Sequence, residues 1–343
     1  MVTETLNGVT STSTEGEEPA KTFTDDEAAL YDRQIRLWGV DAQKRLNNSK
    51  ILIIGMGGIG AEVAKNIILG GVKSVKLMDD SAVSELDASA QFLVSRDAVG
   101  QNRAEASLQR AKLLNPMVEV SAESGKVEDK PDEFFTQFTV ICVSNCSKSQ
   151  ACRINRIARQ NGVSFFASDI FGFVSFIFAD LGEHHYQKEL TPHGRGKVNL
   201  SPPTVLSKVA HFVPYQDILN IDWNLEDFAA RVKKTQPGIF AIFVLLEFVE
   251  RHNRKPHPDT RDADLKEILS IRDEYVEKNG LSKEKVDDSL FENVCGELGP
   301  VCAITGGQLA QEVVKAVSRK DDPLVNFFVF NPVAGTAHVE NFV

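Results

Sequence analysis

Residues 50–69 constrain the fold more than any other stretch of the chain. KILII is a short, continuous apolar run, the pattern of a strand buried on both faces. It runs into Gly55-Met56-Gly57-Gly58-Ile59-Gly60. The following AEVAKNIILGGV carries apolar residues at helical spacing and a stop at Gly70 and Gly71. This is G-x-G-x-x-G in the setting it needs, after a strand and opening a helix. The glycines permit a tight turn and a close backbone approach, and the helix N-terminus offers free N–H groups and partial positive charge to a phosphate. SVKLMDD is a second strand. Asp79, at its end, stands about 20 residues beyond the loop, where a carboxylate can accept hydrogen bonds from a ribose. On these residues alone an NAD-dependent oxidoreductase is one reading, and glycines kept only for close helix–strand packing are another.

The alternation continues along the chain. A helix around 103–114 ends before Asn115-Pro116, FTVICVS is a third or fourth strand, and SFFASDIFGFVSFIFADLG reads as two β-runs turning at Gly172. The pattern predicts an α/β fold with a doubly wound, mostly parallel sheet, covered on both faces. Residues 1–24, rich in Ser, Thr, Glu and Gly, read as a disordered tail. A helix capped by Thr24 or Asp25 then opens the first part of the fold, 25–182. Residues 183–206 gather Pro, His and Gly and read as a long exposed loop. Residues 207–295 form a mostly helical insertion, with GIFAIFVLLEFVERHNR its clearest helix, and 296–343 return to the sheet through a glycine-bearing helix and the strands NFFVFNP and AHVENFV.

The net charge of −10 gives no cationic footprint for nucleic acid. The short basic stretches RVKK (231–234) and RHNRK (251–255) read as solvated helix faces. No apolar run approaches the roughly 18 residues of a membrane span, and no signal-peptide core opens the chain, so a soluble intracellular protein without a membrane partner is expected. Five cysteines without C-x-x-C pairing fit a reducing compartment and buried structural roles.

The residues around the glycine loop narrow the reading. YDRQIRLWG (31–39), GMGGIGAEVAKNIILGGV, AQFL (90–93), VGQNRAEAS (99–107) and PVCAITGGQLAQEVVKA occur in fixed order. Together they closely resemble the adenylation-domain family that activates ubiquitin and its relatives. The resemblance implies a Rossmann-like adenylation fold. The implied reaction is ATP-Mg²⁺-driven adenylation of a C-terminal glycine carboxylate, then transfer to a cysteine thiol.

Departures from the family's pattern imply that this chain is a non-catalytic half. Active members end the second strand in D-x-D followed by N-x-x-R-Q-F; here Ser81 replaces the second Asp, Asp87 stands for Asn, and Ala90 for the arginine that would bind triphosphate oxygens. Arg103 stands where lysine is usual, and Cys146 or Asn145 stands where an Asp would hold Mg²⁺. Gly55, Gly57, Gly58, Gly60, Asp79, Ala90, Arg103 and Cys146 would then mark a degenerate site that holds no cofactor or metal. No cysteine lies between Phe173 and Val294, where the family carries its thioester cysteine. The resemblance further implies that Arg33, the arginine of Y-x-R-Q-I-x-L, reaches in trans to ATP and Mg²⁺ on a larger catalytic subunit, in an obligate heterodimer. The chain's length and its V-C-A-x-x-G-G-x-L-A-Q-E-x-V-K-A stretch resemble the branch of the family that activates SUMO, and a location in the nucleus, with the cytoplasm as a second one, goes with the resemblance. The other reading from the same motifs is a homodimeric enzyme that adenylates a sulfur carrier.

Overall fold

Strands as apolar as KILII and VICV have no face to show to water, so helices must cover both sides of their sheet. The computed structural model describes residues 29–190 and 204–342; the tail 1–24 and the cap at Thr24 or Asp25 lie outside the described residues. Helices α1 (Asp32–Trp38) and α2 (Val40–Asn48) precede β1 (Lys50–Ile54), α3 (Gly58–Leu69) and β2 (Ser74–Met78). Next come α4 (Asp87–Ala90), α5 (Arg103–Leu114), β3 (Glu119–Glu123), α6 (Asp132–Phe135), β4 (Val140–Val143), α7 (Lys148–Gln160), β5 (Ser164–Phe171) and β6 (Val174–Asp180). An antiparallel pair, β7 (Glu183–Leu190) and β8 (Thr204–His211), stands apart from the main sheet. Helices α8 (Tyr215–Leu219), α9 (Glu226–Val232), α10 (Pro237–His252), α11 (Arg261–Lys278) and α12 (Gly299–Ser318) follow, and β9 (Phe327–Asn331) and β10 (Thr336–Glu340) close the sheet.

The sheet has the order β10-β9-β6-β5-β4-β1-β2-β3, parallel from β3 to β5 and antiparallel from β5 to β10. It is the expected doubly wound α/β architecture. The chain winds from β1 outward to β2 and β3, then crosses back to β4 on the other side of β1. Loops leaving the C-terminal ends of β1 and β4 therefore diverge and open a crevice at the switch point, where ligands bind in folds of this kind.

Side chains alternate across β1. Ile51 and Ile53 enter one core layer with α3 and α12, and Leu52 and Ile54 enter the other with α7 and α10. The glycines of α12 have a packing purpose: a Cβ on Gly306 would stand 2.6 Å from Glu62 Cβ, so only glycine lets α12 lie this close along α3. The helical insertion shares the core of the sheet. Ten residues of α10, from Ile239 to Val249, are buried, and Phe240 meets the buried Trp223 ring at 4.9 Å between centroids.

Two expectations change. The stretch 183–206 is not simply loop: 183–190 and 204–206 are strand, paired in register from Glu183↔His211 to Leu190↔Thr204, while 191–203 lie outside the described residues. Its alternating HHYQKEL and TVLSKVAH sequences carry a two-residue period that the nearby Pro and Gly mask. The second concerns RHNRK. Arg251, His252, Asn253 and Arg254 are exposed, but Lys255 turns inward to the buried Asp169 and the partly buried Glu297.

His184, at the base of the β7–β8 pair, is buried with an unpartnered Nε2 and its ring stacked on Tyr186. Burial first, then Arg319 and His185, push its pKa from 6.5 down to about 4. Below pH 6.5 the unfolded chain takes up a proton that the folded chain refuses. Stability therefore falls as the pH drops from 6.5 towards 4. Discounted for the solvent that reaches this edge, the loss is about 1–2 kcal/mol. Urea unfolding of the wild type and His184→Phe at pH 7.5 and pH 5 should show a steeper fall for the wild type, and equal slopes would refute it.

Candidate functional site

The glycine loop sits at the mouth of the crevice. Gly55 turns the chain at φ +87°, in the left-handed region, and its N–H donates to the Met78 carbonyl at 2.9 Å. The four loop glycines, Gly55, Gly57, Gly58 and Gly60, are all buried. Asp79 does not face a free crevice. Its Oδ2 accepts the Met56 N–H at 2.6 Å and its Oδ1 accepts the Ser81 N–H at 2.9 Å. Arg103 closes on it from α5, with Nη2 donating to Asp79 Oδ1 at 3.2 Å and Nη1 donating to Asp87 Oδ1 at 3.1 Å. Burial opposes the Arg103 charge, but Asp79 and Asp87 more than offset it and the guanidinium pKa is raised. A carboxylate bound this way is no longer available to a ribose.

Asn102 places Arg103. Its Oδ1 caps α5 by accepting the Glu105 N–H at 3.1 Å, and its Nδ2 donates to the Asp79 carbonyl at 2.7 Å. Gln91 ties the loop from the other side, its Nε2 donating to the Met56 carbonyl at 2.8 Å and to Ser107 Oγ at 2.9 Å.

Above the loop lies a cavity of about 480 Å³, lined among others by Ser81, Ala90, Arg103, Asn145, Lys255 and Glu297. Ala90 brings only a methyl group to it. Of the two residues that the family resemblance sets against a metal-binding Asp, Asn145 lines this cavity while Cys146 is buried in the core. Among the described residues no group of three or more His, Cys, Asp or Glu is arranged to hold a metal ion. Burial raises the pKa of all five thiols, that of Cys302 to about 12 and that of Cys152 to about 11. Each is thereby held towards its neutral thiol form.

Three residues that motif reasoning misses complete the site. Lys255 Nζ donates to Glu297 Oε1 at 2.8 Å, pairs with Asp169, and reaches the Ile170 carbonyl at 3.3 Å. Burial alone would lower the Lys255 pKa, but Asp169 and Glu297 outweigh it and the ammonium is held charged well above its ordinary range. Glu297 Oε2 in turn accepts the Gly58 N–H at 2.6 Å. One signal for this cluster is present in the sequence: Asp169 interrupts the apolar run SFFASDIF, and a carboxylate buried there requires a cation.

Arg33 lies elsewhere. It is exposed on α1, its side chain makes no ion pair or hydrogen bond with other described residues, and it does not line the cavity. Its neighbour Arg36 pairs with Asp32 at 3.0 Å, and Trp38 Nε1 donates to Gln43 Oε1 at 3.1 Å. Leu37, one turn on, leaves 76% of its surface exposed.

Residues 31–342 match the ThiF family. The chain belongs to that family. It is 43% identical over 331 residues to SUMO-activating enzyme subunit 1 of Rattus norvegicus, covering 93% of this chain and 95% of that protein. It is 41% identical over 339 residues to the Homo sapiens protein of the same name, covering 95% and 98% respectively. The Danio rerio protein of that name is also 41% identical, over 334 residues. The crystal structure of SeMet PaaA has the same fold, with a TM-score of 0.58 at 17% identity, covering 95% of this chain and 86% of that one.

Proposed function

We propose that the chain is the non-catalytic subunit of a heterodimeric SUMO-activating enzyme. On this reading a larger partner binds ATP, Mg²⁺ and SUMO and carries the thioester cysteine, and Arg33 reaches the partner's ATP in trans. The observation that carries the reading is that this chain's own glycine loop is already satisfied by its own side chains. Glu297 takes the Gly58 amide, Asp79 is spent on Met56, Ser81 and Arg103, and Ala90 offers no charge. The residues present do not fit ATP-Mg²⁺. Arg33, in contrast, is an exposed guanidinium without a partner among the described residues, next to the exposed Leu37, as a residue that completes a site across an interface would be. The comparisons support the reading through the names of relatives that match nearly their whole length. We place the complex, on the same reading, in the nucleus.

The test is ATP–pyrophosphate exchange and SUMO thioester formation by the purified chain, alone and with the catalytic subunit. The expected result is no exchange by the chain alone, with exchange and a reductant-sensitive thioester on the partner once the two are combined. Exchange by the chain alone would support a homodimeric sulfur-carrier-adenylating enzyme instead. Binding of a nicotinamide cofactor would support an oxidoreductase. Either result overturns the proposal.

A further inference from the structure

Four carboxylates, Asp79, Asp87, Asp169 and Glu297, meet two cations, Arg103 and Lys255, around the glycine loop. One carboxylate stands where an incoming phosphate would. The helix that follows the loop, α3, has twelve residues and opens at Gly58, and its N-cap residue Gly57 has no side chain to satisfy the first amides. In a nucleotide-binding loop those amides serve the ligand. Here the acceptor is Glu297, from 239 residues further along the chain. A full negative charge gains at this position from the charge-assisted hydrogen bond and from the helix's partial positive charge, the two terms that would otherwise attract a phosphate.

Glu297 is held rather than merely near. Its second oxygen is fixed by Lys255, which Asp169 anchors from the end of β5. The side chains are 14%, 19% and 4% exposed for Glu297, Lys255 and Asp169, so water relieves them little. Space is also used up. Glu297 oxygens lie 2.9 and 3.0 Å from the point where a Cβ on Gly57 would stand, and 2.9 Å from that point on Gly58. A phosphate approaching these glycines must first displace the carboxylate.

We propose that Glu297 is a built-in ligand of the glycine loop, occupying the phosphate position and shutting this chain's crevice to di- and triphosphates. Lys255 and Asp169 position it. The inference deepens the non-catalytic reading above, but its test needs no partner subunit, so the two fail separately.

The full chain and its variants are titrated with inorganic pyrophosphate and with ATP by calorimetry. The Gly58 amide resonance is followed in parallel. Glu297→Ala frees the amide and removes a negative charge, so it should bind pyrophosphate about tenfold or more tightly than the wild type, with the Gly58 resonance moving along the titration. Glu297→Gln keeps an oxygen that can accept the Gly58 N–H while losing the charge. It should fold as the wild type does and gain less, which guards against a Glu297→Ala variant that fails to fold. Glu105→Ala removes a charge from an exposed position and should gain nothing. The inference is overturned if both Glu297 variants fold and bind pyrophosphate no more tightly than the wild type, or if Glu105→Ala gains as much.

Discussion

On the function proposed above, Arg33→Ala is expected to slow adenylation by the proposed heterodimer by about 10- to 100-fold, about 1.4–2.7 kcal/mol of barrier, while leaving assembly nearly unchanged. A guanidinium delivered from one subunit to the nucleotide of the other meets the phosphates only after docking. It therefore contributes where phosphate charge redistributes and adds little to ground-state association. Arginines supplied in trans to a transferring γ-phosphate are worth about 10³–10⁵ in rate. Adenylation reacts at the α-phosphate, and a group placed further from the reacting atoms contributes less. Arg33→Lys should recover only part of the loss, because an ammonium cannot reproduce the planar fork. The folded chain should not notice either change, since Arg33 is exposed and makes no ion pair with other described residues. Pyrophosphate exchange at saturating ATP, with size-exclusion chromatography of the same complexes, reads both quantities. An unchanged rate returns Arg33 to a solvated surface charge, and a dissociated complex makes it a docking residue.

The fold is legible in the sequence wherever the physics is local. KILII, VICV and the β5 and β6 runs are too apolar for anything but buried strands, and Asn115-Pro116 ends α5 at Leu114 because a residue before proline leaves helical space. The glycine loop, its helix and the Gly172 turn follow from the same kind of rule. The β7–β8 pair is harder to see, since its two-residue period is broken by the Pro- and Gly-rich stretch between the strands. The self-satisfied site is the least legible part. Ala90 and Ser81 show what is missing from the loop, but nothing near them shows what takes its place. Lys255, Asp169 and Glu297 come from three distant segments, and in the sequence Lys255 is indistinguishable from the exposed charges of RHNRK. Only the folded chain, which turns that one lysine onto Asp169 and Glu297, separates it from its neighbours.

Lys255→Met is therefore expected to be among the most destabilising surface-segment substitutions in the chain, at about 3–5 kcal/mol near pH 7.5, because it leaves the buried Asp169 and the partly buried Glu297 without their cation. The packing loss is small, as methionine nearly matches the apolar stem of lysine and Phe171 still lies beneath it. The pH dependence identifies the cause. Burial already raises the Asp169 pKa, and without Lys255 nothing opposes that rise, so between the unfolded and folded values the folded state binds an extra proton. Its stability then rises as the pH falls, and the deficit relative to the wild type should shrink from pH 7.5 to pH 5. A cavity or a lost contact would give a deficit that does not change with pH. Neutralising the acids as well, with Asp169→Asn and Glu297→Gln added to Lys255→Met, should recover much of the loss, since removing a whole buried charge cluster costs far less than breaking it. Urea unfolding of the single and triple variants at the two pH values measures all of this. A pH-independent deficit, or a triple variant no more stable than the single one, would show that Lys255 acts through packing and that the bridge to Glu297 is not what holds the glycine loop closed.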